Sequence, residues 1–206
     1  MDTSYLVDLR VAIAKSDEEE WWLRTTRCAR RILTAVCFRE TSENTYRQTS
    51  SVLLAPIGFY YSVFHIGIAM LYMEHSTSPE ELKHMRHSTL ESLVKDRLVN
   101  RKIISGEYIK TLRKLREYRE YANYVFGERL TRYEYKSVVS ELYEQTEAIF
   151  DSALTFIQQV QAEVCAKHGL YYPIQTAIGD GFGDDLIRAY LSELDEQRVQ
   201  SYLLAK

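Results

Sequence analysis

Helix breakers are scarce in this chain, with 3 prolines and 8 glycines in 206 residues. That scarcity argues against a turn-rich β architecture and for long, rarely interrupted helices. Cysteine is scarcer than glycine: Cys28, Cys37 and Cys165 are odd in number and include no close-spaced pair. They offer neither a disulfide framework nor a zinc site, and they fit a reducing cytoplasm. The opening MDTSYLVDLR has an acid at position 2 and no apolar core of signal length, so no export signal is expected. No alternating strand pattern and no internal repeat occurs along the chain.

Charge is absent from a third place. From Gln48 to Met73 there is no Asp, Glu, Lys or Arg, and most of SVLLAPIGFYYSVFHIGIAMLYM is apolar. Length alone would allow a membrane span. Pro56, Gly58, His65, the run of tyrosines and the lack of a basic cluster at either end argue instead for a helix buried all round in a bundle. No membrane partner is expected.

What remains is ordinary in amount and uneven in placement. Hydrophobic residues make up 46% and charged residues 27%, globular values for one domain able to bury a core. Net charge is −3, yet the segment from Lys83 to Arg119 holds eleven bases against four acids. That segment carries +7 and leaves −10 for the rest. A basic sector on an acidic protein is a candidate phosphate contact, and equally a solvated helix face answered by acids elsewhere.

Helix punctuation divides the chain into a short helix over 1–15, a helical bundle over 16–165, and a loop with a last amphipathic helix over 166–206. Ser16 with Glu19 reads as a capping box opening a helix on which Arg24, Arg27 and Arg31 share one side. RETSENTYRQTS (39–50) reads as a loop, and Pro56 as the first turn of the uncharged helix. Ser78-Pro79-Glu80-Glu81 predicts a helix start running to about Val94. Ser105 reads as the cap of the next helix and Gly127 as its end. Thr131 with Glu134 opens a long helix that Gly169 stops. The fold class is all-α, a bundle of four to five helices with a C-terminal helical extension.

Candidate chemistry is sparse. The glycines of IGDGFGDD lack a following Lys-Ser or Lys-Thr, and Asp180, Asp184 and Asp185 would repel phosphate. Glu81, His84 and either His87 or Glu91 can share one helix face, with no second ligand pair to complete a metal site. Neither metal nor cofactor is expected. His65 stands mid-helix in the uncharged run with Tyr61, Ile68 and Tyr72 on its side, and a buried histidine needs partners. In LREYREYANYVF, Arg119 interrupts the apolar row Tyr108, Leu112, Leu115, Ala122 and Phe126. A guanidinium keeps its proton, so in a core it must find a carboxylate, several acceptors or an anionic ligand. With Arg116 three residues before and Asn123 four after, it forms a polar seam.

FYYSVFHIGIAMLYMEH, then RHSTLESLV, then LRKLREYREYANYVF, in that order and spacing, resemble the HEPN (higher eukaryotes and prokaryotes nucleotide-binding) family over residues 17 to 160. The resemblance implies a four- or five-helix bundle, commonly a homodimer. Many relatives are metal-independent ribonucleases of toxin–antitoxin, antiviral defence or RNA-processing systems. Others are non-catalytic partners of a nucleotidyltransferase. The family's nucleases carry an arginine followed after four to six residues by histidine; here Arg119 is followed by Tyr124, and Asn123 replaces an acid common in the branch. Two mechanisms stay open. In one, Arg119, with Arg116, Arg113 and Arg86 nearby, holds an RNA phosphate, and His65 or His87 serves as base. Tyr124 and Tyr61 could bond the phosphate or nucleotide. In the other, the seam binds RNA, a nucleotide or a protein without catalysis, as an adaptor of a nucleotidyltransferase antitoxin or larger defence complex.

Overall fold

A computed structural model describes residues 3–49, 54–124 and 132–169. Six α-helices lie among them: α1 (Thr3–Lys15), α2 (Glu18–Thr49), α3 (Leu54–Met73), α4 (His87–Val94), α5 (Glu107–Tyr124) and α6 (Arg132–His168). A 3₁₀ turn over Pro79–Leu82 precedes α4, and a π-helical turn over Lys95–Val99 follows it. No strand occurs among the described residues, and the architecture is an all-α bundle.

The uncharged helix is the axis of the bundle. Sixteen of the twenty residues of α3 are buried, and α2, α4, α5 and α6 all pack against it. Its length and composition would suit a membrane span, but its apolar side chains are engaged with other helices. Two glycines permit the closest approaches. A Cβ at Gly58 would lie 1.7 Å from Ser42 Oγ on α2, and one at Gly67 would lie 1.9 Å from Tyr108 Oη on α5. The Tyr108 hydroxyl donates to the Val63 carbonyl at 2.8 Å, which pins α5 to α3 beside that glycine. On the other side, Tyr5, Leu9 and Ile13 form the buried stripe of α1. Arg10 is paired with Glu163 of α6 through bonds of 2.8 and 2.6 Å.

Several sequence expectations are corrected here. Residues 39–49 are the last three turns of α2, not a loop. Their polar side chains find partners in space: buried Arg39 donates to Glu147 on α6, and Tyr143 of α6 donates to Glu43 at 3.0 Å. The cap of α2 is Asp17, whose Oδ1 accepts from the Glu20 amide at 2.8 Å. Ser16 is occupied elsewhere, donating to the Ala12 carbonyl and accepting from the Trp21 indole at 2.6 Å. The Ser78–Glu81 capping box is present, but it opens only the 3₁₀ turn. The chain then breaks, and α4 begins at His87 with Arg86 extended before it. Ser105 does accept from the Glu107 amide at the start of α5, and Gly169 follows α6 with a φ of 68°. Gly127, the Thr131–Glu134 box, the IGDGFGDD stretch and the C-terminal helix lie outside the described residues.

Candidate functional site

The register of α3 places Tyr61 and His65 one turn apart on one face, with Tyr60 and Phe64 turned toward α4. α4 contributes His87 at its first position, α5 contributes Arg119 and Arg116, and α2 contributes Arg31 and Phe38. These side chains form one continuous polar and aromatic cluster. The His87 ring lies 4.7 Å from Phe64, 5.3 Å from Tyr60 and 6.4 Å from Tyr61, measured between centroids. His65 lies 5.5 Å from Phe64 and is stacked with Phe38 at 5.8 Å. Arg119 covers the Tyr60 ring, its guanidinium carbon 4.8 Å from the centroid.

The hydrogen bonds of the two histidines differ in kind. Arg31 Nη1 lies 3.1 Å from His65 Nδ1. A guanidinium can only donate, so Nδ1 accepts and the ring proton sits on Nε2. Burial, the Arg31 charge and His87 push the His65 pKa down to about 4, so the ring is neutral near pH 7. His87 Nδ1 is bonded instead to the Tyr60 hydroxyl. A hydroxyl donates or accepts, so either tautomer of His87, and its protonated form, keeps this partner. Burial and the charges of Arg119 and Arg116 lower the His87 pKa as well. Burial raises the Tyr60 phenol to about 12, opposed by those same arginines, so it keeps its proton. His87 thus keeps a partner in either protonation state, with its neutral form favoured by burial and the arginine charges, while His65 is fixed as an N–H donor.

The arginines are incompletely matched. Among the described residues the carboxylate nearest Arg119 is that of Glu120, at 3.8 Å, and its buried Nε has no hydrogen-bond partner there. Arg31 bonds to a neutral imidazole rather than a carboxylate, and burial lowers its pKa. Arg116 reaches Glu91 at 3.6 Å and Glu120 at 3.9 Å. Two guanidinium groups without a close carboxylate partner, beside the N–H donor of His65, make a setting for an anion with several oxygens.

Of the sequence candidates, Arg119, Arg116, His65, His87 and Tyr61 share this cluster. Arg113 lies at its edge, its Nε donating to Glu91 at 2.6 Å. Arg86 is exposed immediately before α4. The side chains of Asn123 and Tyr124 lie outside the described set. The basic sector is largely matched by acids: Lys83 with Glu80, Lys110 with Glu107, Lys114 with Glu141 and Arg101 with Glu74. No group of three His, Cys, Asp or Glu among the described residues is arranged to hold a metal ion. Arg31, Tyr60 and Phe38 escaped the sequence reading. Arg31 carried a signal as one of three arginines at helical spacing, and Tyr60 as part of the quoted FYYSVFH stretch, while Phe38 carried none. No protein-family model, curated protein or solved structure matches this chain, and the site's chemistry rests on its own residues.

Proposed function

We propose that this chain is a HEPN-like RNA-binding protein whose α2–α5 cluster holds a backbone phosphate and cleaves RNA without a metal. The observation that carries this reading is the meeting of Arg119, Arg31 and two neutral histidines from four separate helices, with Arg119 Nε lacking a partner among the described residues. Arg119 and Arg116 bind the phosphate and stabilise charge that develops on it. His87 takes the 2′-hydroxyl proton on Nε2 while Nδ1–H donates to Tyr60. The 2′-oxygen bonds to phosphorus, the bond to the 5′-oxygen breaks, and the proton passes from His87 to that leaving oxygen. His65 donates Nε2–H to a non-bridging oxygen. The resemblance in sequence supports a toxin–antitoxin or antiviral defence setting.

A second reading keeps the phosphate site and drops the chemistry: a non-catalytic partner of a nucleotidyltransferase or defence complex. Tyr124 at the position of the motif histidine favours it, as does the locked proton of His65. The experiment is RNA binding and cleavage in EDTA by wild type, Arg119→Ala and His87→Gln. Cleavage lost in both variants supports the nuclease; binding without cleavage supports the partner. A wild type that neither binds nor cleaves RNA rejects both.

A further inference from the structure

A cavity of about 320 Å³ opens between α3, α5 and α6 and shares no residue with the candidate site. Its floor is apolar and buried: Met70 of α3, Ile104 just before α5, Tyr108 of α5, and Ile149 and Ala153 of α6. On α6 the cavity is faced by Gln145, Ala148, Ile149, Ser152 and Ala153, the three- and four-residue steps of one helix face. Three of those five are Ala or Ser, too small to fill the space beside α5. The larger Leu142 and Phe156 continue the face at either end and are buried. An apolar cavity of about 150 Å³ already takes a benzene ring, so this one has room for about two fused rings.

Two polar features define what fits. Gln145 Nε2 donates to Glu141 at 2.9 Å, and Lys114 holds the same carboxylate oxygen at 2.7 Å. A carboxylate only accepts, so the amide is fixed in this orientation. Its other end, Oε1, is buried with no hydrogen-bond partner among the described residues. A buried acceptor without a donor costs stability, and a ligand N–H or O–H would satisfy it. Glu107 is the sole charged residue along the described lining, and Lys110 pairs with it at 2.6 Å. Tyr108 offers only its ring, because its hydroxyl is spent on the Val63 carbonyl. We infer that the cavity binds a neutral, largely apolar molecule of about two fused rings with one N–H or O–H donor for Gln145. The inference goes beyond the phosphate-binding reading and does not depend on it.

The test titrates the full chain with indole and with benzofuran, which share a shape but differ in carrying or lacking an N–H, and reads binding by ligand-observed NMR. Wild type should bind both saturably, and indole about fivefold more tightly, the worth of one hydrogen bond. Gln145→Leu should erase that difference and keep benzofuran binding. Ala148→Phe, at the exposed rim, should abolish binding of both. Ser152→Phe at the same rim repeats the test if circular dichroism shows that Ala148→Phe disturbs the helices. No saturable binding by wild type, or binding untouched by the rim variants, would overturn the cavity site. Equal affinity of wild type for indole and benzofuran would overturn the ligand class assigned through Gln145. Each of these results leaves the phosphate site standing, since RNA binding by Arg119→Ala is measured separately.

Discussion

Two polar clusters lie along α3, one around His65 and one just past its end at Glu74, and they are built on opposite rules. Glu74 is fully buried, and its carboxylate accepts from the Ser76 amide (3.0 Å), the Ser76 hydroxyl (2.9 Å), the Thr77 hydroxyl (2.6 Å) and Arg101 (2.9 Å). Beside it, buried Arg24 donates to the carbonyls of Tyr72 and Glu74 at 3.2 and 3.3 Å and pairs with Glu20 at 2.8 Å. Both buried charges have their partners in the chain, and together they tie α2 and the segment before α5 to the end of α3. At His65 the balance is different. Arg31 has a neutral ring for its partner, and Arg119 keeps a buried N–H with none among the described residues. A buried charge left short of partners costs stability. A cluster closed on itself reads as structural, and the open one carries the proposed phosphate site.

The comparison breaks first on stability. Glu74→Ala removes the carboxylate and leaves the Thr77 hydroxyl buried and Arg101 without its acid. Unfolding stability should fall by about 3 kcal/mol, read from urea or thermal denaturation. A loss below about 1 kcal/mol would deny the node its structural role.

The next largest effect separates the clusters by pH. His65 is held at about 4 in the folded protein, below the ordinary value near 6.5 of an unfolded chain. The unfolded chain therefore binds the proton first as pH falls. The His65 contribution is complete above pH 6.5, declines through the window from 6.5 to 4, and levels off below it. Wild type should lose about 3 kcal/mol across that window through this residue. His65→Asn, which keeps an acceptor for Arg31, should show a correspondingly shallower slope in stability against pH. Identical slopes would contradict the half-buried, neutral ring.

The smallest stability effect belongs to Arg119→Ala. It removes a cation held by one ring and one distant carboxylate, so stability should change by no more than about 1 kcal/mol. If stability instead falls as far as in Glu74→Ala, Arg119 is a structural residue and the contrast collapses.

Much of the frame was legible in the chain, for local reasons. Ser105, the Ser78–Glu81 box and Gly169 act within a few residues of themselves, so their chemistry is visible in order along the sequence. The uncharged run announced the buried α3. The polar tail of α2 was not legible, because Arg39 and Glu43 gain their partners from α6 more than a hundred residues later in one case and a hundred in the other. The Glu74 node was hidden similarly: in sequence Glu74 merely ends an apolar helix, while its partner Arg101 lies 27 residues away. At the candidate site, Arg119 stood out as a charge in an apolar row. The pairing of Arg31 with His65 and of Phe38 with both α3 rings depends on how α2 crosses α3, which local spacing does not specify.

The most direct measurement of the open-site claim is RNA binding by wild type and Arg119→Ala in EDTA across a salt series. Removing one phosphate-binding arginine should weaken binding at least about tenfold and reduce the slope against salt by about one. Unchanged affinity and slope in Arg119→Ala would contradict the account.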